Sequence, residues 1–228
     1  MKERGILFSA PMVRANLARR KRMTRRLVNP QPDRVDESGT YTLHDGDDDA
    51  MFRCELVCPY GGPGDRLYVK EASWIWCQKD SDGFTPTGRR KYRYMPVGRH
   101  VVYCADGEKP TERIDDNPRC CWRYKAARFM PRWASRLWLE VESARVERVQ
   151  DITYEDAEAE GVQCVETDDT EDTYWCIEPN DGGPVADLPQ DVFACLWDDI
   201  NAERGHAWAK NEWVWVVSYK HIEQEAAQ

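Results

Sequence analysis

The feature that most constrains the fold is an apolar segment over residues 213–220, which reads Trp-Val-Trp-Val-Val-Ser-Tyr-Lys. In an extended strand, successive side chains point to opposite faces of the sheet. One face of this segment then carries two Trp, one Val and one Tyr, and the other carries Val214 and Val216. Apolar side chains on both faces are typical of a strand that is covered on both sides. The segment therefore predicts the central strand of a sheet.

The other secondary-structure signals are short. Alternating apolar residues predict three further strands, over residues 5–8, 66–71 and 136–141. Cap residues and helix-spaced apolar residues predict three helices, over residues 10–20, 153–161 and 189–204. Several strands around a few short helices indicate an α+β fold, and a small curved β-barrel or sheet fits them best.

Long polar stretches separate these elements. They are rich in Gly, Pro and charged residues and are predicted to be loop insertions, over residues 31–57, 77–128 and 164–187. The second stretch has one strand signal, near residues 100–104. We expect a single domain over residues 1–228 that carries these three insertions.

Charge is distributed unevenly along the chain. The net charge is −9, from 32 Lys and Arg against 41 Asp and Glu. Residues 1–30 nevertheless hold nine basic residues and one acid, whereas residues 151–203 hold seventeen acids and no Lys or Arg. This distribution excludes a uniformly basic nucleic-acid-binding coat but leaves room for a local basic patch that holds one phosphate or a short single strand. The acidic stretch keeps the protein soluble, binds a basic partner or mimics a nucleic acid.

The cysteines do not have the spacing of a common metal site. There are nine of them with no C-x-x-C pair, and only four His, so we predict no metal and no cofactor. One zinc alternative stays open, built from Cys54, Cys58, Cys120 and Cys121.

No apolar run approaches the roughly 20 residues of a membrane helix, and residues 6–8 are too short a core for a signal peptide. We expect reduced thiols, a location in the bacterial cytoplasm and no membrane contact.

Five segments, taken in order, carry a resemblance to a known family. They are Gly5 to Ala15 with the following Lys21-x-x-Thr24-x-Arg26, the turn Cys-Pro-Tyr-Gly-Gly-Pro-Gly-Asp at 58–65, Met-Pro-Arg-Trp-Ala-Ser-Arg at 130–136, Leu-Trp-Asp-Asp-Ile-Asn at 196–201, and the closing strand. Together they resemble ASCH-superfamily domains of the enlarged phage and prophage type. The resemblance implies a PUA-like fold and a role with RNA or modified nucleosides, and it does not cover the insertions.

One branch of this family hydrolyses N(4)-acetylcytidine to cytidine and acetate. Its active site resembles a Lys-x-x-Thr pair and a later Glu in an Ala-x-x-Glu helix, and the matching positions here are Lys21, Thr24 and Glu160. The resemblance thus implies an amidohydrolase. A metal-dependent ribonuclease, known from another branch, is less favoured because the sequence has no clear matching metal cluster.

The chemistry of these three residue types suits amide hydrolysis. The Thr24 hydroxyl is a nucleophile, and a neutral Lys21 amine is able to take its proton. Neighbouring arginines repel the charged amine and are expected to lower the pKa of Lys21. Strand residues three apart face opposite sides, so Lys21 must lie in the turn before the strand if the two groups are to meet. Glu160 near a helix end is the predicted general acid or base.

Four further residues are predicted to contact the substrate: Arg25, Arg26, Trp133 and Arg136. A guanidinium holds a carbonyl oxygen or a phosphate, and Trp133 flanked by Arg132 and Arg136 is suited to stacking on a base. The predicted partner is a modified nucleoside or a short single-stranded RNA. Two alternatives remain: a non-catalytic module that binds RNA or a modified base, and a phage-encoded counter-defence protein that binds a host protein through the acidic insertions.

Overall fold

A computed structural model describes residues 1–32, 34–35, 57–107, 109–166, 173–179 and 183–223, together with the backbone of residues 40–44 and 51–55. The chain divides into two compact units. The first unit comprises Met1–Arg4, Ala15–Leu67 and Leu137–Gln228, and the second comprises Gly5–Arg14 and Tyr68–Arg136. The prediction of one domain over the whole chain stays a prediction.

The described residues are mostly strand, with few helices. The helices are α1 (Ala10–Leu17), α2 (Tyr154–Ala159) and α3 (Pro189–Asn201). The strands are β1 (Glu3–Leu7), β2 (Met23–Leu27), β3 (Arg34–Val35), β4 (Thr40–His44), β5 (Met51–Glu55), β6 (Arg66–Lys70), β7 (Ser73–Phe84), β8 (Arg90–Tyr103), β9 (Cys120–Lys125), β10 (Trp138–Arg148), β11 (Gln163–Glu166), β12 (Thr173–Cys176), β13 (Val185–Ala186) and β14 (Trp213–Ile222). The predicted α+β class is confirmed.

The largest sheet has five strands in the order β1-β6-β10-β14-β2. The closing segment forms β14, which pairs antiparallel with β10 on one side and with β2 on the other. Val214 and Val216 are fully buried, and so is Tyr219 on the opposite face. The prediction of a central strand is therefore confirmed, because apolar residues on both faces need cover on both sides.

The three insertions contain more strand than the sequence predicted. The one strand expected there, near residues 100–104, is confirmed as the end of β8 (Arg90–Tyr103), and the expectation of loops elsewhere was wrong where the structure shows further strands. A three-stranded antiparallel sheet lies at each stretch, in the orders β3-β4-β5, β8-β7-β9 and β11-β12-β13. Strands β7 and β11 begin at Ser73 and Gln163, before the predicted boundaries. The β7–β8 hairpin illustrates why the pattern was missed: its outer residues are mostly exposed on both faces. Such strands are held by backbone hydrogen bonds rather than by a buried apolar face, and they lack the alternation that marks a half-buried strand.

Both helices predicted in the C-terminal half are confirmed, as α2 (Tyr154–Ala159) and α3 (Pro189–Asn201). Helix α3 begins at Pro189 as expected, and its buried side contributes Val192, Phe193 and Trp197 to the core. Within the described residues, no helix has the length and apolar character needed to cross a membrane.

Candidate functional site

Lys21 lies in the turn between α1 and β2, the position that a contact with Thr24 was expected to need. The backbone N–H groups of Arg20 and Lys21 both donate to the Ala15 carbonyl, at 3.0 and 3.2 Å. Arg19 adopts a left-handed conformation with φ of 59°. This reversal brings Lys21 inside the first unit, where the residue is only 1% exposed.

Helix α2 ends beside the edge strand β2 and presents Glu160 to this turn. Its start is fixed by Thr153, whose hydroxyl accepts a hydrogen bond from the Asp156 N–H at 3.1 Å. Glu160 is the C-cap, and Gly161 follows with φ of 106°, a conformation that favours glycine. The Arg22 N–H donates to the carbonyl of Ala159 at 2.7 Å, which ties the helix end to the sheet edge.

Lys21 and Glu160 form a buried ion pair. The Lys21 ammonium donates to the Glu160 carboxylate oxygen Oε2 at 2.5 Å and to the Glu160 backbone carbonyl at 2.8 Å. Both side chains are at most 3% exposed. The structure thus brings together two of the three predicted catalytic residues, although 139 positions separate them in sequence.

Burial is the main reason why the pKa of Lys21 is lowered. Removing an ammonium from water disfavours its charged form, and the positive charges of Arg26 and Arg25 lower the pKa further. The Glu160 carboxylate opposes these effects but does not reverse them. The direction predicted from the neighbouring arginines is confirmed, while its largest cause depends on the tertiary structure.

Arg25 contacts the carboxylates that lie next to this ion pair. Its fully buried guanidinium contacts Asp156 and Glu147, the latter at 3.4 Å, and lies 3.6 Å from Oε1 of Glu160. Among the described residues, no hydrogen-bond donor reaches that Oε1 atom. Glu160 therefore keeps one buried carboxylate oxygen that is able to accept a further hydrogen bond or a proton.

Thr24 and Arg26 lie on the other face of β2 from Arg25. Thr24 pairs with Val217 and Arg26 with Trp215 of β14, and alternate strand residues share a face. Thr24 is 3% exposed. The structure therefore places Thr24 within the first unit and buried, and its role as the nucleophile stays a prediction.

Sequence reasoning missed two polar partners of this site. The Tyr219 hydroxyl donates to the Asn16 side-chain oxygen at 3.0 Å, and both residues are buried. Burial raises the pKa of Tyr219 well above its ordinary value of 10.0, and the negative charge of Glu160 raises it further. The strand pattern marked Tyr219 only as core, because nothing in the local sequence shows that the Glu160 helix end lies near it.

Trp133 and Arg136 belong to the second unit. Trp133 is half-buried in a short turn, Arg132–Ala134. The Arg136 guanidinium makes ion pairs with Glu71 at 2.9 Å and with Asp106 at 2.7 Å. Their predicted contacts with substrate stay predictions, as do those of Arg25 and Arg26.

Several cations of the basic N-terminal segment are held by contacts within the protein. Beyond Lys21 and Arg25, three guanidinium groups donate to backbone carbonyls: Arg20 to Gly161 at 2.8 Å, Arg4 to Pro59 at 2.8 Å and Arg14 to Ala105 at 3.1 Å. Groups held in this way have fewer donors left for a phosphate.

The described residues contain no group of three or more His, Cys, Asp or Glu side chains arranged to hold a metal ion. The zinc alternative is only partly covered, since the side chain of Cys54 lies outside the described residues. Cys58 belongs to the first unit, and Cys120 and Cys121 belong to the second.

No family model, no curated protein and no solved structure matches this chain. The resemblance to ASCH domains therefore rests on the motifs of the sequence.

Proposed function

We propose that the chain is an ASCH-like protein with a PUA-like fold that hydrolyses the amide of an N(4)-acylated cytosine nucleoside. Lys21, Thr24 and Glu160 are its proposed catalytic residues. The observation that carries the proposal is the buried ion pair between Lys21 and Glu160, at 2.5 Å.

A buried ion pair contributes little net stability to a fold. Both ions lose their hydration, and replacing such a pair by well-packed apolar side chains is often neutral or stabilising. Polar groups that are buried at a cost and whose pKa values are perturbed concentrate at functional sites. The lowered pKa of Lys21 means that its ammonium loses a proton more readily than that of an ordinary lysine. The neutral amine formed in this way is the form that acts as a base.

The proposed reaction has two steps. In the first, the Thr24 oxygen attacks the acyl carbon, the Thr24 proton passes to the Lys21 amine, and that proton is then delivered to the departing N4 nitrogen as the C–N bond breaks. In the second, water attacks the ester carbonyl carbon and gives a proton to the Glu160–Lys21 pair. The ester C–O bond then breaks, and the pair returns that proton to the departing Thr24 oxygen, which restores the hydroxyl. The products are the free cytosine nucleoside and the carboxylic acid.

Arg25 is a positioning residue in this scheme. Its contacts with Asp156, Glu147 and Glu160 fix the carboxylate end of α2 against β2. Since Thr24 is 3% exposed, the proposal requires a local opening of the first unit before an acylated base reaches the hydroxyl.

The test is turnover of N(4)-acetylcytidine by the purified full chain, with cytidine followed by chromatography. We expect Lys21→Met and Glu160→Gln each to lower the rate by about 10²–10⁴-fold, the usual contribution of general acid–base catalysis. The matched control is Lys220→Met, which breaks the exposed ion pair with Glu140 and should leave the rate unchanged.

Two results contradict the proposal. Full activity in a folded Lys21→Met variant removes the lysine from the mechanism. Absence of turnover with acetylated and longer N(4)-acylated cytosines overturns the substrate. The non-catalytic RNA-binding module and the phage-encoded protein that binds a host factor remain alternatives predicted by the sequence.

A further inference from the structure

The two units carry opposite net charges. The second unit holds sixteen Lys and Arg against eight Asp and Glu, a net charge of +8, and the first unit therefore carries −17 of the total of −9. The basic N-terminal segment contributes only Arg14 to the second unit. The second unit therefore has a strong positive field, although the net charge of the whole chain is negative.

Much of this charge lies on the β8-β7-β9 sheet. Arg90 and Arg93 on β8 are exposed. Arg93 lies opposite Asp80 in the strand register, but neither guanidinium forms an ion pair within the described residues. Lys91 between them is paired with Asp82, at 3.2 Å, and both side chains of that pair are exposed. The outer part of this hairpin therefore presents cations to solvent.

Aromatic rings lie between cations on one face of the same sheet. Tyr92 and Tyr94 alternate along β8, so they share a face, and Tyr94 lies opposite Lys79 of β7. The Lys79 ammonium lies 3.8 Å from the centroid of the Tyr92 ring, and the Arg123 guanidinium of β9 lies 4.0 Å from that of Tyr94. The four side chains form a stripe across three strands, here called the Tyr92–Arg123 stripe.

This combination fits one class of ligand. Cations along a sheet neutralise a phosphate backbone, while tyrosine rings and a guanidinium plane offer stacking surfaces for bases. Only unpaired bases expose the faces that such stacking needs. An acidic peptide would match the charge and leave the rings without a role.

We propose that the Tyr92–Arg123 stripe and the flanking Arg90 and Arg93 bind single-stranded nucleic acid. The surface lies within residues 77–128, outside the segments that resemble the ASCH family. It is also independent of the proposed hydrolase, because none of its residues belongs to the Lys21–Glu160 site.

The test is fluorescence anisotropy of the full chain with labelled 20-nucleotide oligouridine RNA and oligothymidine DNA, over a series of salt concentrations. Both probes share phosphates and unpaired bases, and their affinity ratio shows which sugar is preferred. We expect Tyr92→Leu with Tyr94→Leu to weaken binding at least 5-fold, since removal of one stacked base corresponds to roughly 5- to 150-fold. Arg90→Ala with Arg93→Ala should weaken binding and reduce the slope of log affinity against log salt by about 1 for each phosphate that the variant no longer neutralises.

The matched control is Arg204→Ala with Lys210→Ala, which removes two exposed cations from the first unit and should leave binding unchanged. Absence of binding to both probes at low salt overturns the proposal. Equal binding by the tyrosine variant and the parent chain, or equal affinity for duplex DNA, also overturns it, because charge alone then explains the binding. A third result also overturns the proposal: the chain binds no nucleic acid but associates with itself in a salt-sensitive way, and Arg90→Ala with Arg93→Ala abolishes this association. The occupant of the surface is then a second copy of the chain.

Discussion

Removing one partner of the Lys21–Glu160 pair should destabilise the protein far more than removing both. Lys21→Met leaves the Glu160 carboxylate buried without its ammonium partner, and Glu160→Met leaves the Lys21 ammonium buried without its carboxylate. Both changes keep an unbranched side chain of similar length, so the packing volume is nearly conserved. The dominant effect is then an uncompensated buried charge.

The magnitude follows from the burial of the pair. With both side chains at most 3% exposed, each single variant should lose about 3–5 kcal/mol in free energy of unfolding. The double variant buries no unpaired charge at these positions. Its loss should be at least about 2 kcal/mol smaller than the sum of the two single losses.

Urea unfolding of the four proteins, followed by tryptophan fluorescence, measures this interaction energy. An exposed pair on the same sheet, Lys220 with Glu140 at 2.8 Å, provides a parallel cycle. Its coupling should be much weaker, because water and salt screen exposed charges. If the Lys21 and Glu160 losses add to within about 0.5 kcal/mol, the two groups are not coupled and the buried ion pair is refuted.

Two further predictions concern the same unit. The pKa of Lys21 in the folded chain lies below its ordinary value of 10.5. At pH values between the folded and the ordinary pKa, the unfolded chain binds a proton at Lys21 that the folded chain does not. The free energy of unfolding therefore rises with pH in this range. Thermal unfolding from pH 7 to pH 10 should show this rise in the parent chain and a smaller one in Lys21→Met; identical pH profiles would contradict the assignment. Gly161→Ala should lower the free energy of unfolding by more than about 1 kcal/mol, because φ is 106° and the new Cβ would lie 3.1 Å from that of Ala15. Gly183→Ala, where a Cβ meets no atom within 4 Å, is its control in the same urea assay.

The elements with strong local signals were predictable from sequence. Strand β14, the cap of α2 at Thr153 and the start of α3 at Pro189 each depend on side chains within a few positions of one another. Alternation, capping and the fixed φ of proline act locally, so one sequence suffices to detect them. The outer parts of β7 and β8 were missed because exposed strands held by backbone hydrogen bonds leave little trace in the apolar pattern.

For the candidate site too, some properties were predictable from the sequence and others depend on the tertiary structure. The sequence determined the residue types, through the Lys-x-x-Thr spacing and the Glu before Gly161, and it determined that positive neighbours lower the pKa of Lys21. Only the tertiary structure decided that Lys21 and Glu160 meet at 2.5 Å and that both are buried. Burial and contact between residues 139 positions apart depend on how α2 packs against the edge of β2. That packing is set by the whole unit, which is why local spacing predicts the chemistry of these groups and not their distance.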